Sequence, residues 1–324
     1  MKLVSHRRIE PMMIANRPSL RRTFRRSQVA VLLPLLLMSA VVAAVEPDHR
    51  AVEYAQVGTK SLLLDVYLPK STRQTNSNTG DQLNRSNAAP LVIWIHGGAW
   101  RSGSRDNVPV TRWLQHGAAI ASVDYRLSPE APFPAQIHDI KAAIRFLRHH
   151  ATEYGLDADQ FVIAGASAGG HLAALTGVSN GVAELEGSVG QHLNTSSDVQ
   201  AIVSFYGASN LQSILSQSTA HGLSVRVPAL QLLLEGQPQD KPALARLASP
   251  VAHVDPKDPP LWLIHGDADP QMPFEQSREL EAVYQKVGLP VRLDIVVGGK
   301  HGGEGFFTDT QLDQLAQQVR GQLE

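Results

Sequence analysis

Along the chain, short runs that are apolar at every position alternate with stretches that are apolar at every third or fourth position. Leu91 to His96 (LVIWIH) is continuously apolar, as a strand buried on both faces requires. Ala118 to Val123, Phe161 to Ala164, Ala201 to Phe205, Leu261 to Ile264 and Val291 to Val297 read the same way. Ser61 to Tyr67 (SLLLDVY) is a further strand, ended by Pro69. Between the strands, Ile137, Ile140, Ile144 and Leu147 fall on one helical face. Leu280, Val283 and Val287 repeat that spacing, as do Leu312, Leu315 and Val319. Strands alternating with helices predict an α/β fold with a mainly parallel sheet covered on both faces. There is no repeat and no second alternating series, so a single domain over 45–324 is expected. Two segments break the pattern. Residues 71–89 are polar, rich in Asn, Ser and Thr, and read as a surface loop. Residues 207–248 read as a small helical, cap-like excursion over one end of the sheet.

Charge changes the picture only at the N-terminus. Residues 1–44 hold eight basic residues and one acid, which leaves a net of −8 on the rest of a 324-residue chain whose overall charge is −1. A body that acidic lacks the basic footprint of nucleic-acid binding. Val29 to Val45 is an apolar run containing Pro34, short for a membrane span, and Val42-Ala43-Ala44 supplies a small-residue cleavage pattern. Residues 1–44 are therefore expected to be a signal peptide cleaved near Ala44, with a periplasmic or extracellular mature protein and no membrane span after cleavage. An uncleaved anchor is the alternative. Arg21-Arg22-Thr23-Phe24 resembles a twin-arginine export signal, and paired arginines also occur in ordinary basic leaders. The absence of cysteine excludes disulfides, thiolate nucleophiles, Cys-ligated zinc, Fe–S clusters and a lipoprotein anchor.

The candidate chemistry lies where strands end. Gly165-Ala166-Ser167-Ala168-Gly169 follows one strand and opens an apolar helix, His171 to Leu175. Such a turn strains the serine, needs small neighbours, and projects the hydroxyl at a helix N-terminus. Ser167 is the expected nucleophile. His96-Gly97-Gly98-Ala99-Trp100 follows an earlier strand and resembles the His-Gly-Gly-x motif of esterases. Backbone N–H groups of Gly98 or Ala99, with Ala168, are the expected oxyanion hole. His96 is expected to be structural, and Trp100 either lines the acyl pocket or packs. His265-Gly266-Asp267-Ala268-Asp269-Pro270 ends a late strand. Asp269 is the expected acid, Asp267 the competing one, and His265 is expected to be structural. His301, in a glycine-rich loop after the last strand, is the expected base, its pKa raised by Asp269. His149 and His150 sit near a helix end and favour its dipole. His171 is read as packed or solvated. No cluster has metal-ligand spacing, and neither phosphate-binding glycine pattern occurs, so no metal and no cofactor are expected.

Together these pieces resemble the α/β-hydrolase superfamily. More narrowly they resemble the secreted bacterial esterase/lipase group that includes feruloyl and acetyl-xylan esterase-like proteins. Asp124-Tyr-Arg-Leu127, Phe133-Pro-Ala135, Ala248-Ser-Pro250 and Asp258-Pro-Pro260 complete the likeness, which spans roughly 50–320. In such proteins Asp124 to Leu127 supports the oxyanion loop, and Ala99 stands where the commonest form has a third glycine. The resemblance implies a serine carboxylic-ester hydrolase acting on a small-molecule or polysaccharide-linked ester. Two rivals stay open: an amidase or peptidase, as in kynurenine formamidase-like and exopeptidase-like relatives, and an inactive binding module on the same fold. The oligomeric state is not given by the sequence.

Overall fold

The computed structural model describes residues 7–9, 45–72 and 88–323. Its strands are β1 Arg7–Ile9, β2 His49–Val57, β3 Lys60–Tyr67, β4 Ala89–Ile95, β5 Ala119–Val123, β6 Leu156–Ala166, β7 Ala201–Phe205, β8 Leu261–Gly266 and β9 Val291–Val296. They form one sheet in the order β1-β9-β8-β7-β6-β4-β5-β3-β2. Every pairing from β1 to β5 is parallel, and β3 and β2 close the far edge antiparallel. The main helices are α1 Ala135–His149, α2 Ala168–Gly177, α3 Ala220–Leu234, α4 Pro242–Leu247, α5 Glu275–Val287 and α6 Asp309–Leu323. This is the α/β-hydrolase fold that the motifs imply.

Alternation within the apolar strands explains why they read as continuous. In β4, Leu91, Ile93 and Ile95 face one core, together with α1, α2 and α5. Val92 and Trp94 face the other, with α6 and Trp113 of a short 3-10 helix at Thr111–His116. Both faces are dry, so neither parity carries polar residues. In α1, Ile137, Ile140, Ile144 and Leu147 are fully buried. Truncating any one of them to Ala is expected to destabilise by about 2–5 kcal/mol.

Three elements depart from the pattern read off the sequence. β2 lies at the edge with only Tyr54 and Ala55 buried, and its register shifts twice against β3, between His49 and Val52 and between Glu53 and Ala55. Such bulges destroy a period of two, which is why no strand is legible there. β6 begins five residues before its apolar core. Within the basic leader, set apart above from the fold, Arg7–Ile9 pairs in parallel with Asp294–Val296 and covers the β9 edge. Residues 1–6 and 10–44, with the apolar run and the cleavage pattern, lie outside the described residues. So do 73–87 of the polar loop, while Ala89 already belongs to β4. No helix among the described residues is long and apolar enough to cross a membrane. Residues 207–248 contain a short helix at Ile214–Gln217 together with α3 and α4.

Candidate active site

Ser167 stands between β6 and α2 with φ 56° and ψ −116°. That left-handed backbone strains a serine by about 1–3 kcal/mol. The neighbours make it obligatory. A Cβ on Gly169 would lie 2.0 Å from the Ile95 carbonyl oxygen, and one on Gly165 would lie 2.4 Å from that of Gly169. Strand and helix backbones touch, so the chain turns within one residue. The Ser167 hydroxyl makes no capping bond to its own helix. It lies 2.9 Å from His301 Nε2, and His301 Nδ1 lies 2.7 Å from Asp269 Oδ2. Three residues from the ends of three strands thus meet in one line.

Asp269 has no exposed side-chain surface. Its Oδ1 accepts the N–H groups of Gln271 and Met272 at 2.8 and 2.9 Å. Burial opposes its ionisation. Hydrogen bonds from His265 and His301, the charge of His301 and the Met272 N–H outweigh burial and hold the carboxyl well below the usual range. Nδ1 of His301 therefore carries the proton, and Nε2 keeps a lone pair toward Ser167. For His301 itself the balance is reversed. Burial lowers its pKa below the ordinary 6.5, and the attraction of Asp269 does not make up the difference. The upward shift expected from Asp269 alone is thus corrected, since desolvation is the larger effect.

Asp267 is exposed and accepts the Gly298 N–H at 2.6 Å, which shapes the turn, and its carboxylate pairs with no histidine among the described residues. His265 is buried. Its Nε2 faces two acceptors, Met272 O at 3.1 Å and Asp269 Oδ2 at 3.5 Å, and its Nδ1 accepts from the Ser277 hydroxyl at 2.7 Å.

The loop after β4 lies against Ser167. A Cβ on Gly97 would fall 3.5 Å from the Ser167 Cβ and 2.9 Å from the Ala166 carbonyl. Gly98, Ala99 and Trp100 have φ of 113°, 52° and 60°. Ala99 thus takes the left-handed backbone that glycine adopts freely, at a cost of about 1–2 kcal/mol. The Gly98 carbonyl accepts N–H groups from Arg101 and Ser102, both at 3.1 Å. No acceptor among the described residues takes the N–H of Gly98 or Ala99. Arg105 braces the loop by pairing with Asp65 at 3.0 Å and with Asp124, whose carboxylate also takes the Arg105 N–H at 2.8 Å. His96 is buried, stacked on Tyr125 at 4.5 Å and bonded to the Gly97 carbonyl. Trp100 does not line the cleft. It is fully buried, and its indole N–H donates to His171 Nδ1 at 3.0 Å, so of its two expected places it takes the packing one.

Two groups beside Ser167, His301 and Asp269 are not marked by the sequence pattern. Tyr206 follows β7 in a left-handed conformation, and its ring lies edge-on to His301 at 4.9 Å. Position just past a parallel strand was the one available signal. Arg226 on α3 is fully buried, with its guanidinium 5.9 Å from the Trp100 ring and 3.5 Å from the Gln271 carbonyl. Its Nε and Nη1 have no partner among the described residues. Burial pushes its pKa down to about 10, against the pull of Asp269. An open cleft of about 1090 Å³ spreads from Ser167 and His301, bordered by Trp94, Arg101, Val225, Gln271 and Phe307.

A family model described as BD-FAE matches residues 80–284, well over half of the chain. The chain belongs to the BD-FAE family. The match includes Ser167 and Asp269 and ends before His301. Esterase LipQ of Mycobacterium tuberculosis is 30% identical over 282 residues, 78% of this chain and 65% of LipQ. A truncated form of a carbohydrate esterase from gut microbiota is 32% identical with a TM-score of 0.73, covering 87% of this chain and 98% of that one. Esterase 2 of Thermogutta terrifontis phosphonylated by sarin is 25% identical with a TM-score of 0.69, covering 85% and 95%. The chain spans between 45% and 65% of the first curated relatives it matches.

Proposed function

We propose that this BD-FAE chain is an exported serine carboxylic-ester hydrolase. The observation that carries the reading is the hydrogen-bonded line from Ser167 through His301 to Asp269 at the floor of the cleft. Ser167 attacks the ester carbonyl while His301 Nε2 takes its proton. The imidazolium then protonates the departing alcohol, and Asp269 holds the tautomer and stabilises that cation. The free N–H groups of Gly98 or Ala99, with that of Ala168 at the start of α2, receive the oxyanion. Water activated by His301 cleaves the acyl-enzyme, so the cycle needs no cofactor.

The open cleft leaves room for a bulky alcohol portion. It is wide and open, and Arg101, Ser102, Ser104, Asn107 and Gln271 supply hydrogen-bonding groups beside Phe307. Polar groups on an open rim can meet sugar hydroxyls, and the apolar lining beside them can meet a ring face. Together with the carbohydrate esterase among the neighbours, this supports a polysaccharide-linked ester as substrate. Export rests on the basic leader, the apolar run and the Ala44 pattern. Cleavage there would remove β1 and leave a sheet of eight strands.

The test is hydrolysis of aryl esters of graded length, acetylated xylan, feruloyl esters and matched amides, by the wild type and Ser167→Ala. Short or sugar-linked esters are expected to be cleaved, and the variant to lose about 10⁶-fold in kcat. A folded Ser167→Ala protein keeping a tenth of the activity would sink the assignment. Preference for the amides would move the chain to another hydrolase class.

A further inference from the structure

At the opposite end of β6 from Ser167, three histidines meet. His149 and His150 close α1 just before β6 begins at Leu156, and His192 comes from the loop that leads into β7. The His149 and His192 rings stack 3.9 Å apart, and His150 lies 4.9 and 5.2 Å from them. One nitrogen of each ring lies within 4.8 Å of the other two. Adjacent histidines at a helix end are common, and only the fold adds the third.

Two further features suit a bound ion. Glu153 Oε2 lies 2.9 Å from His150 Nδ1. A carboxylate there makes Nδ1 the donor and leaves the Nε2 lone pair free, as the outer partner of a metal-bound imidazole does. The loop carrying His192 is also fixed on both sides of it. Arg145 donates to the Val189 carbonyl at 2.9 Å, and Arg148 to the Asp198 carbonyl at 2.6 Å. His192 is thus held over the end of the helix.

The geometry points to a divalent transition-metal site formed by His149, His150 and His192, taking an ion of the zinc class. Three neutral nitrogen donors suit zinc or copper and offer nothing to magnesium or calcium. Tetrahedral zinc with bonds of about 2.0–2.1 Å draws its ligand nitrogens to about 3.4 Å from one another. The rings must close by roughly an ångström and splay from their stack, which these exposed and half-buried side chains can do. Water fills the fourth position. The ion would tie the C-terminal end of α1 to the loop before β7, far from the cleft. Its role would be stability rather than chemistry, because binding that requires the folded arrangement stabilises it.

The test uses tag-free, chelator-treated full-length protein, titrated with zinc chloride by calorimetry and followed by thermal melts. Wild type is expected to bind one zinc per chain with a micromolar or tighter Kd and to melt higher with zinc. His192→Ala and His149→Ala, each checked for folding by circular dichroism, are expected to weaken binding at least tenfold and to lose the rise. His221→Ala, an exposed histidine elsewhere, is expected to behave as wild type. No saturable binding by wild type, or binding within threefold of wild type in both cluster variants, would overturn the site.

Discussion

Trp100 donates its indole N–H to Nδ1 of His171 across 3.0 Å, which locks the loop after β4 to α2, the helix that Ser167 precedes. His171 sits one turn into α2, and its Nε2 donates to the Ala248 carbonyl at 2.7 Å. Both ring nitrogens are thereby committed and the imidazole must stay neutral. Burial pushes its pKa down to about 4, with the nearby Arg226 charge adding to the fall and the Ala248 carbonyl opposing it. The sign follows. Below 6.5 the unfolded chain binds a proton that the folded chain refuses until about pH 4, so stability falls as the pH drops through that window. A shift from 6.5 to about 4 corresponds to about 3 kcal/mol at most. Urea unfolding at pH 7 and pH 4.5 is expected to show a smaller acid loss in His171→Gln than in wild type. Equal losses would remove His171 from the account.

The two aspartates of the acid loop make a second prediction. Asp269 faces His301 with its side chain sealed from solvent, while Asp267 holds the Gly298 N–H at the surface. Asp269→Asn should favour the wrong imidazole tautomer and lower kcat by about 10⁴-fold. Asp267→Asn keeps an oxygen that accepts the Gly298 N–H and loses only an exposed charge, so it should cost less than tenfold. Steady-state rates of both variants on one small aryl ester decide the matter. If Asp267→Asn proves the more damaging while both fold, the roles are exchanged.

Close backbone contact predicts a steep stability difference between two glycines. At Gly169 a methyl group would stand 2.0 Å from the Ile95 oxygen and 2.6 Å from that of His96, so strand and helix must separate. Gly169→Ala is expected to destabilise by about 3 kcal/mol or more. At Gly181, φ is +76° and nothing lies within 4 Å, so only backbone strain opposes an alanine. There the expected loss is about 1–2 kcal/mol. Denaturant melts of the two variants test the ordering, and equal losses would contradict it.

What the sequence made legible is what its local pattern encodes. β4 and α1 announce themselves because every residue of one, and every third or fourth of the other, meets a core. Ser167 and His301, which the fold brings within 2.9 Å, stand out as candidates in the sequence because glycines crowd a short turn directly after a strand. β2 is not, because bulges erase its alternation and half its surface meets water. Arg226 and Tyr206 escape notice for another reason. Nothing local marks a buried arginine on α3, and its place near Asp269 and Trp100 exists only once the cap folds back over the sheet. The same holds for His192, whose neighbours His149 and His150 belong to a distant helix.

His301 carries the last prediction. Asp269 attracts a proton to its ring, while burial, Arg226 and His265 repel one, and Tyr206 packs edge-on against it. Burial wins, so the imidazole stays neutral to lower pH than an ordinary histidine does. In the proposed reaction His301 must be neutral to accept the Ser167 proton, so the acid limb of kcat/KM is expected to have its midpoint below 6.5. Arg226→Gln removes a cation whose repulsion disfavours the imidazolium. The imidazole then protonates more readily, and the limb is expected to move to higher pH. Arg226→Lys keeps the charge and should leave the limb near its original place. These profiles are measured on the free enzyme with a short aryl ester, after each variant is shown to fold. A limb that stays put or moves to lower pH in Arg226→Gln would show that the buried guanidinium does not act on the base.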